Sequence, residues 1–206
     1  MACLGSEEDQ PLNARKQDVV VDRVSETPCP HCESTVDVSS CEPLIPVDCP
    51  VCGRSMTVPG RLGSFVLLEI LGRGGMGSVY RALDTTLNRL VAIKVMRGAL
   101  GNDLQFSSDL ANEARSAAAL NHPHVAQVYA FGEEKGQPYI VMELASGGRL
   151  DKMIKRQGPL DEDWVLDRVI EVAQGLQAAQ KAGLIHADIK PANIVFDEKG
   201  RAKLVD

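Results

Sequence analysis

Aromatic side chains are scarce in this chain of 206 residues: one Trp, three Tyr and four Phe make up 4% of it. The formal net charge is −6, and its Lys and Arg are scattered rather than clustered. A chain without a basic, aromatic-rich face offers no footprint for nucleic acid or for an anionic membrane surface, so no nucleic-acid partner is expected. Long apolar runs are missing too. The longest, Phe65 to Leu68 and then Ile70 and Leu71 beyond Glu69, is far too short to span a bilayer, and the opening MACLGSEEDQ is too polar for a secretory signal. No membrane segment is expected in the visible chain, and its expected location is cytoplasmic. There is no internal repeat, no low-complexity tract and no Walker-type G-x-x-x-x-G-K-[ST] loop.

The length allows one large domain, or a small one beside a larger one with a sizeable core. Three regions differ in pattern. Residues 1–27 are polar apart from VVV at Val19 to Val21 and are expected to form a flexible arm. Residues 28–60 hold cysteine pairs and four prolines from Pro43 to Pro59, without a helical pattern. From Gly63 onward come strand-like segments and then helices.

Six cysteines in an intracellular chain are expected to be metal ligands or plain thiols, because cytosolic thiols are kept reduced. CPHC at Cys29 to Cys32 and CPVCG at Cys49 to Gly53 form C-x2-C-x16-C-x2-C. Cysteines two residues apart can turn both sulfurs toward one point, and two such turns supply the four thiolates of a closed tetrahedral zinc site: Cys29, Cys32, Cys49 and Cys52. Gly53 suits the tight turn after the second pair, since it takes positive φ without a Cβ clash. Redox-active C-x-x-C pairs are the alternative, but they are expected near a βαβ pattern, which is absent. A closed zinc site folds its module and has no open position for catalysis. Cys3 and Cys41 have no partner at a useful spacing and are expected to be inert thiols, and His31 is expected to face solvent.

In LEILGRGGMGSVYRALD, Gly72, Gly74 and Gly77 make G-x-G-x-x-G. A dinucleotide-binding turn has the same glycines, and a plain flexible hairpin is a further alternative. A dinucleotide fold opens a helix after the third glycine, whereas SVYRA alternates and leads through turn residues 84–88 into the strand-like LVAIKVM. Strand, glycine loop, strand is a hairpin able to lie over phosphates. In LVAIKVM, a period of two puts Ala92, Lys94 and Met96 on one face and Val91, Ile93 and Val95 on the other. A lysine in so apolar a strand needs an anion unless it sits on a sheet edge facing water. Glu113 shares a helical face with Phe106, Leu110, Ala117 and Leu120, so it points inward. An ion pair between Lys94 and Glu113 would answer both anomalies. His122 and His124, in NHPHV, are read as structural loop residues.

These motifs, followed by His186, Asp188, Lys190 and Asn193 in IHADIKPANIV, give G-x-G-x-x-G-x-V, VAIK, an inward helix Glu and H-x-D-x-x-x-x-N in that order. The chain from about Gly63 to Asp206 thereby resembles a eukaryotic-type protein kinase, and its GRGGMGSVYRA and IKPAN wording is most similar to bacterial Hanks-type serine/threonine kinases. The resemblance implies that Gly72, Gly74 and Gly77 cover the phosphates of ATP, and that Lys94, held by Glu113, contacts the α and β phosphates. It implies that Glu143 and Ala145, after Met142, offer backbone hydrogen bonds to adenine, and that Val79, Ala92 and Val195 contact the base; by pattern alone these side chains could equally be ordinary core. Phosphoryl transfer to an alcohol needs a carboxylate for the hydroxyl, a cation near the phosphate and oxygen ligands for Mg²⁺ or Mn²⁺. The resemblance assigns these to Asp188, Lys190, and Asn193 with Asp206, and makes His186 a packing and hydrogen-bonding residue.

Ala187 departs from the family, which often has an arginine there to grip a phosphorylated activation loop, so regulation by such phosphorylation is not expected. The resemblance also implies that more of the domain follows Asp206, so the kinase domain over 63–206 is expected to be incomplete and the 206-residue chain alone inactive. The apolar stripe Val165, Val169, Val172 and Leu176 should then lack part of its packing. The expected fold is α+β: a kinase-like N-lobe of antiparallel sheet plus one helix, the start of a helical C-lobe, and a small N-terminal zinc ribbon over 28–60. The expected function is ATP-dependent phosphorylation of protein serine or threonine. The alternative is a pseudokinase or scaffold whose ribbon docks a protein partner; the retained Lys94, Glu113, Asp188, Asn193 and Asp206 argue against it.

Overall fold

Two short hairpins lie near the start of the described residues, each built around a cysteine pair whose tight turn reverses the strand. A computed structural model describes residues 19–75, 77–96, 111–112 and 114–205. Glu113, Asp206 and Cys3 lie outside the described residues. The chain divides into two compact units, Met1–Asn102 with Gly132–Tyr139, and Asp103–Phe131 with Ile140–Asp206.

In the first unit, β1 spans Asp22–Arg23 and β2 spans Glu26–Pro28, the latter pairing antiparallel with β3, Thr35–Asp37. β4, Pro46–Asp48, pairs antiparallel with β5, Ser55–Thr57. The two turns repeat one hydrogen-bond pattern: Cys29 N donates to Ser34 O and Glu33 N to Cys29 O, as Cys49 N does to Arg54 O and Gly53 N to Cys49 O. Gly53 takes φ 69°, and its counterpart Glu33 takes φ 61°. Glycine adopts this left-handed region without penalty, so only the second turn has the residue its backbone favours. Val36, Val38, Met56 and Val58 form the small core under the hairpins. Cys41 is buried there and is disulfide-bonded, which corrects the expectation of an inert thiol.

The larger sheet comprises β6 (Gly60–Leu62), β7 (Phe65–Gly74), β8 (Gly77–Asp84), β9 (Arg89–Met96), β10 (Val128–Glu134) and β11 (Gln137–Met142), with β1 on its edge, in the order β1-β6-β7-β8-β9-β11-β10. The β8–β9 turn is set by Asp84, whose Oδ1 accepts from Thr86 N and Leu87 N at 3.0 and 3.1 Å. β8 alternates buried and half-buried positions from Ser78 on, whereas β9 is buried on both faces from Val91 to Ile93, as befits an interior strand. Part of the stretch expected to be a flexible arm is packed against the sheet. Val19 is buried, Val20 N donates to Gln137 Oε1 at 2.8 Å, Asp22 pairs with Lys135, and β1 joins β6.

The second unit is mainly helical. Residues 111–112 and 114–118 are helical; α1 spans Leu150–Gln157 and α2 spans Glu162–Lys181. Asp161 caps α2 by accepting from Trp164 N at 2.9 Å. A turn of 3₁₀ helix, Pro191–Asn193, leads into the antiparallel hairpin of β12 (Ile194–Phe196) and β13 (Ala202–Leu204). The core packs Val172 of α2 with Ile194, Phe196, Ala202 and Leu204, and Trp164 lies 5.6 Å from the Phe196 ring. Of the expected stripe on α2, Val172 is buried and Leu176 packs against this core, but Val165 and Val169 are 37% and 57% exposed. No helix among the described residues is long and apolar enough to cross a membrane. The fold is α+β, with an antiparallel sheet as its largest element.

Candidate functional site

The two cysteine turns bring four sulfurs to one point. The Sγ atoms of Cys29, Cys32, Cys49 and Cys52 all lie within 4.8 Å of one another, with Cys29 to Cys52 and Cys32 to Cys49 both 3.8 Å. Four sulfurs at the tetrahedral Zn–S length of ~2.3 Å stand ~3.8 Å apart, so the spacing fits zinc. The protonation pattern is uneven. Hydrogen bonds from the Ser34 hydroxyl and amide hold Cys32 down at about 6, and the amides of Cys52 and Val51 also lower Cys49. Cys52 receives the Arg54 amide, yet desolvation and the three neighbouring sulfurs push it up to about 11. Four thiols so close cannot all ionise together unless a cation neutralises them. His31 is exposed, as expected, with Nε2 3.1 Å from Ser55 O.

In the first unit the glycine hairpin is closed by Gly74 opposite Gly77, with Gly72 opposite Val79. Gly77 takes φ 154°, and a Cβ on it would stand 2.1 Å from the Val95 carbonyl oxygen, so β8 approaches β9 more closely there than any side chain permits. Val79 pairs with Lys94, and Ala92 lies two residues before Lys94 on the same face, so these three side chains share one face of the sheet. Lys94 is half-buried in β9, an interior strand, which removes the edge-lysine alternative. Its expected partner Glu113 is outside the described residues.

In the second unit the segment 185–193 gathers Asp188, Lys190 and Asn193. Lys190 Nζ lies 2.6 Å from Asp188 Oδ2, and Asn193 Nδ2 donates to the same oxygen and to the Asp188 carbonyl, each at 3.0 Å. Asn193 is buried, and with its amide nitrogen so engaged its Oδ1 is the atom able to ligate a cation. Asp188 is exposed, and its carboxyl is held below the usual carboxylate range, chiefly by the Lys190 hydrogen bond and then by Asn193. Ala187 takes φ 55°, and Asp188 N folds back onto His186 O at 2.7 Å. A non-glycine residue held in that region is a strained turn that aims the next side chain. His186 is half-buried with neither ring nitrogen hydrogen-bonded among the described residues, so the packing half of its expected role is what the structure displays.

Glu143 directly follows β11, and Val195 lies in β12, bridged to Arg149. Ala145 follows two residues later and is half-buried. His124 is buried with Nδ1 2.9 Å from Ala202 O, and His122 Nδ1 accepts from His124 N, as structural residues should. Sequence reasoning missed Lys203. It lies in β13 with its side chain 7% exposed and its Nζ 3.0 Å from each carboxylate oxygen of Glu143. The signal was present in AKLV, a lysine within an apolar strand, the same anomaly that singles out Lys94.

The family described as "Protein kinase domain" matches residues 65–206. A probable serine/threonine-protein kinase of Streptomyces coelicolor is 41% identical over 156 residues, which cover 73% of this chain and 23% of that protein. Serine/threonine-protein kinase PknE of Mycobacterium bovis is 42% identical over 146 residues, 71% of this chain and 26% of its own length. Serine/threonine-protein kinase PknA of Mycobacterium tuberculosis is 39% identical over 149 residues, covering 70% of this chain and 35% of itself. The chain thus matches between 23% and 35% of the length of these relatives.

Proposed function

Because this chain belongs to the protein kinase family, we propose that it carries the catalytic residues of an ATP-dependent serine/threonine kinase acting on proteins. The observation that supports this best is the carboxylate of Asp188 held by Lys190 and Asn193 within one strained turn. In this reading Asp188 orients the substrate hydroxyl and accepts its proton, and Lys190 stabilises charge on the transferring phosphoryl group. Asn193 and Asp206 would hold Mg²⁺ or Mn²⁺, which would supply neutralisation of the phosphate charge. Gly72, Gly74 and Gly77 present backbone amides to the phosphates, and Lys94, with Glu113, binds them. Backbone groups of Glu143 and Ala145 are proposed to hydrogen-bond adenine, and Val79, Ala92 and Val195 to contact the base. The co-substrate ATP is a cytoplasmic metabolite, which favours a cytoplasmic kinase domain.

The four convergent sulfurs favour a structural zinc held by Cys29, Cys32, Cys49 and Cys52, which would make residues 28–60 a zinc ribbon and a candidate docking module for a protein partner. Residues 63–206 are then the kinase part and 1–27 the leading segment.

The test is phosphate incorporation from radiolabelled ATP into a generic protein substrate by the full-length protein. Asp188→Asn should lose about 10²–10⁴-fold in rate as a general base is removed, and Lys94→Met should lose comparably. Near-normal incorporation by either variant would contradict the assigned roles.

A further inference from the structure

Lys203 has no task in the reading above, yet it is one of the most enclosed charges described, and enclosing an ammonium is costly unless it is paired. Its partner Glu143 is fixed from two sides. Glu143 N donates to Gln127 O at 2.8 Å, while Glu143 Oε2 accepts from Gln127 N at 3.2 Å as well as from Lys203. The strand that carries Lys203 is itself pinned. Leu204 N donates to His124 O at 2.9 Å, Ala126 N donates to Leu204 O at 2.8 Å, and Val205 N donates to Asn193 O at 3.0 Å. Asn193 in turn holds Asp188. The segment 203–205 therefore touches both the segment after β11 and the turn that bears the candidate base.

A salt bridge this enclosed is weak evidence for stability, because apolar residues of similar volume often serve as well. Its consequence here is geometric. With both carboxylate oxygens of Glu143 committed to Lys203, the side chain cannot rotate, and the peptide plane that carries the Glu143 carbonyl is restrained with it. We propose that Lys203 is a positioning residue for the nucleotide: through Glu143 it fixes the backbone carbonyl that accepts the exocyclic amino group of adenine, and so sets selectivity for adenine. This rests on the assignment of Glu143 as the adenine-contacting residue. A hydrogen-bonding acceptor held in place discriminates strongly against a base lacking the donor, and one free to swing does not.

The experiment measures kcat and KM of the full-length protein with ATP and with purine riboside 5′-triphosphate, which lacks only the 6-amino group. The variants are Lys203→Met, Lys203→Arg, and Lys203→Met combined with Glu143→Leu; the last leaves no buried charge unpaired and guards against simple misfolding. The unaltered protein should favour ATP by about ten-fold or more in kcat/KM. Lys203→Met should bring that ratio to within about three-fold, through a higher KM for ATP with kcat nearly kept, while KM for the analogue stays put, and the double variant should lose the selectivity as well. Lys203→Arg should retain most of the selectivity. A merely structural role would weaken use of both nucleotides alike and leave their ratio unchanged, and that result in either folded variant overturns the proposal. Absence of selectivity in the unaltered protein would instead overturn the assignment of Glu143 on which the proposal stands.

Discussion

The ammonium of Lys190 lies 2.6 Å from Oδ2 of Asp188, the oxygen that Asn193 Nδ2 also reaches at 3.0 Å. Both donors favour the ionised acid, so the Asp188 carboxyl is depressed below its ordinary range. The ionised form, with whatever it contributes to folding and catalysis, is complete above the ordinary carboxylate pKa and is lost as pH falls through the lowered one. Replacing Lys190 with Met should raise the Asp188 pKa, so the acid limb of the kcat/KM profile should move to higher pH, with a fall in kcat besides. A pH–rate profile of Lys190→Met whose acid limb coincides with that of the unaltered protein would sink this coupling.

Sulfurs of Cys29 and Cys52 stand 3.8 Å apart, as do those of Cys32 and Cys49. The purified protein should contain one zinc per chain by elemental analysis. A chelator should destabilise the cysteine module, and zinc should be released as pH falls, because protons then compete for the thiolates. Cys49→Ser should lose the metal. Unchanged zinc in that variant, or none in the unaltered protein, would remove the four-thiolate site.

Gly77 faces the Val95 carbonyl across β8 and β9, where a Cβ would sit at 2.1 Å. Gly77→Ala should therefore push the strands apart or distort the hairpin, at a cost of about 1–3 kcal/mol in stability. KM for ATP should rise as the loop shifts. By contrast, the nearest atom to a Cβ on Gly74 is Gly77 O at 3.9 Å, so Gly74→Ala should be milder. Thermal unfolding and ATP titration of both variants check the order; equal effects would show that the close approach does not matter.

The features legible in the amino-acid sequence are those whose geometry is local. Two residues between cysteines dictate a turn that aims both sulfurs inward, and the spacing predicts the four-sulfur cluster that the structure contains. Glycines between two alternating segments predict a hairpin, and β7 and β8 form it. Asp188, Lys190 and Asn193 are five residues apart at most, so a single turn can assemble them. The anomaly of a lysine in the apolar LVAIKVM pointed to Lys94, because eight residues of β9 suffice to reveal a period.

Tertiary structure alone decided the rest. β13 has three residues, too few for a periodic signal, and Lys203 meets Glu143 across 60 positions of chain. The polar stretch before Cys29 carries no pattern that foretells an edge strand, yet Asp22–Arg23 pair with β6 and Val19 is buried. A disulfide at Cys41 was likewise invisible, since no spacing announced it. The physical reason is common to all three: a pattern records what each residue prefers beside its neighbours in sequence, while a partner far along the chain is chosen only when the whole chain packs.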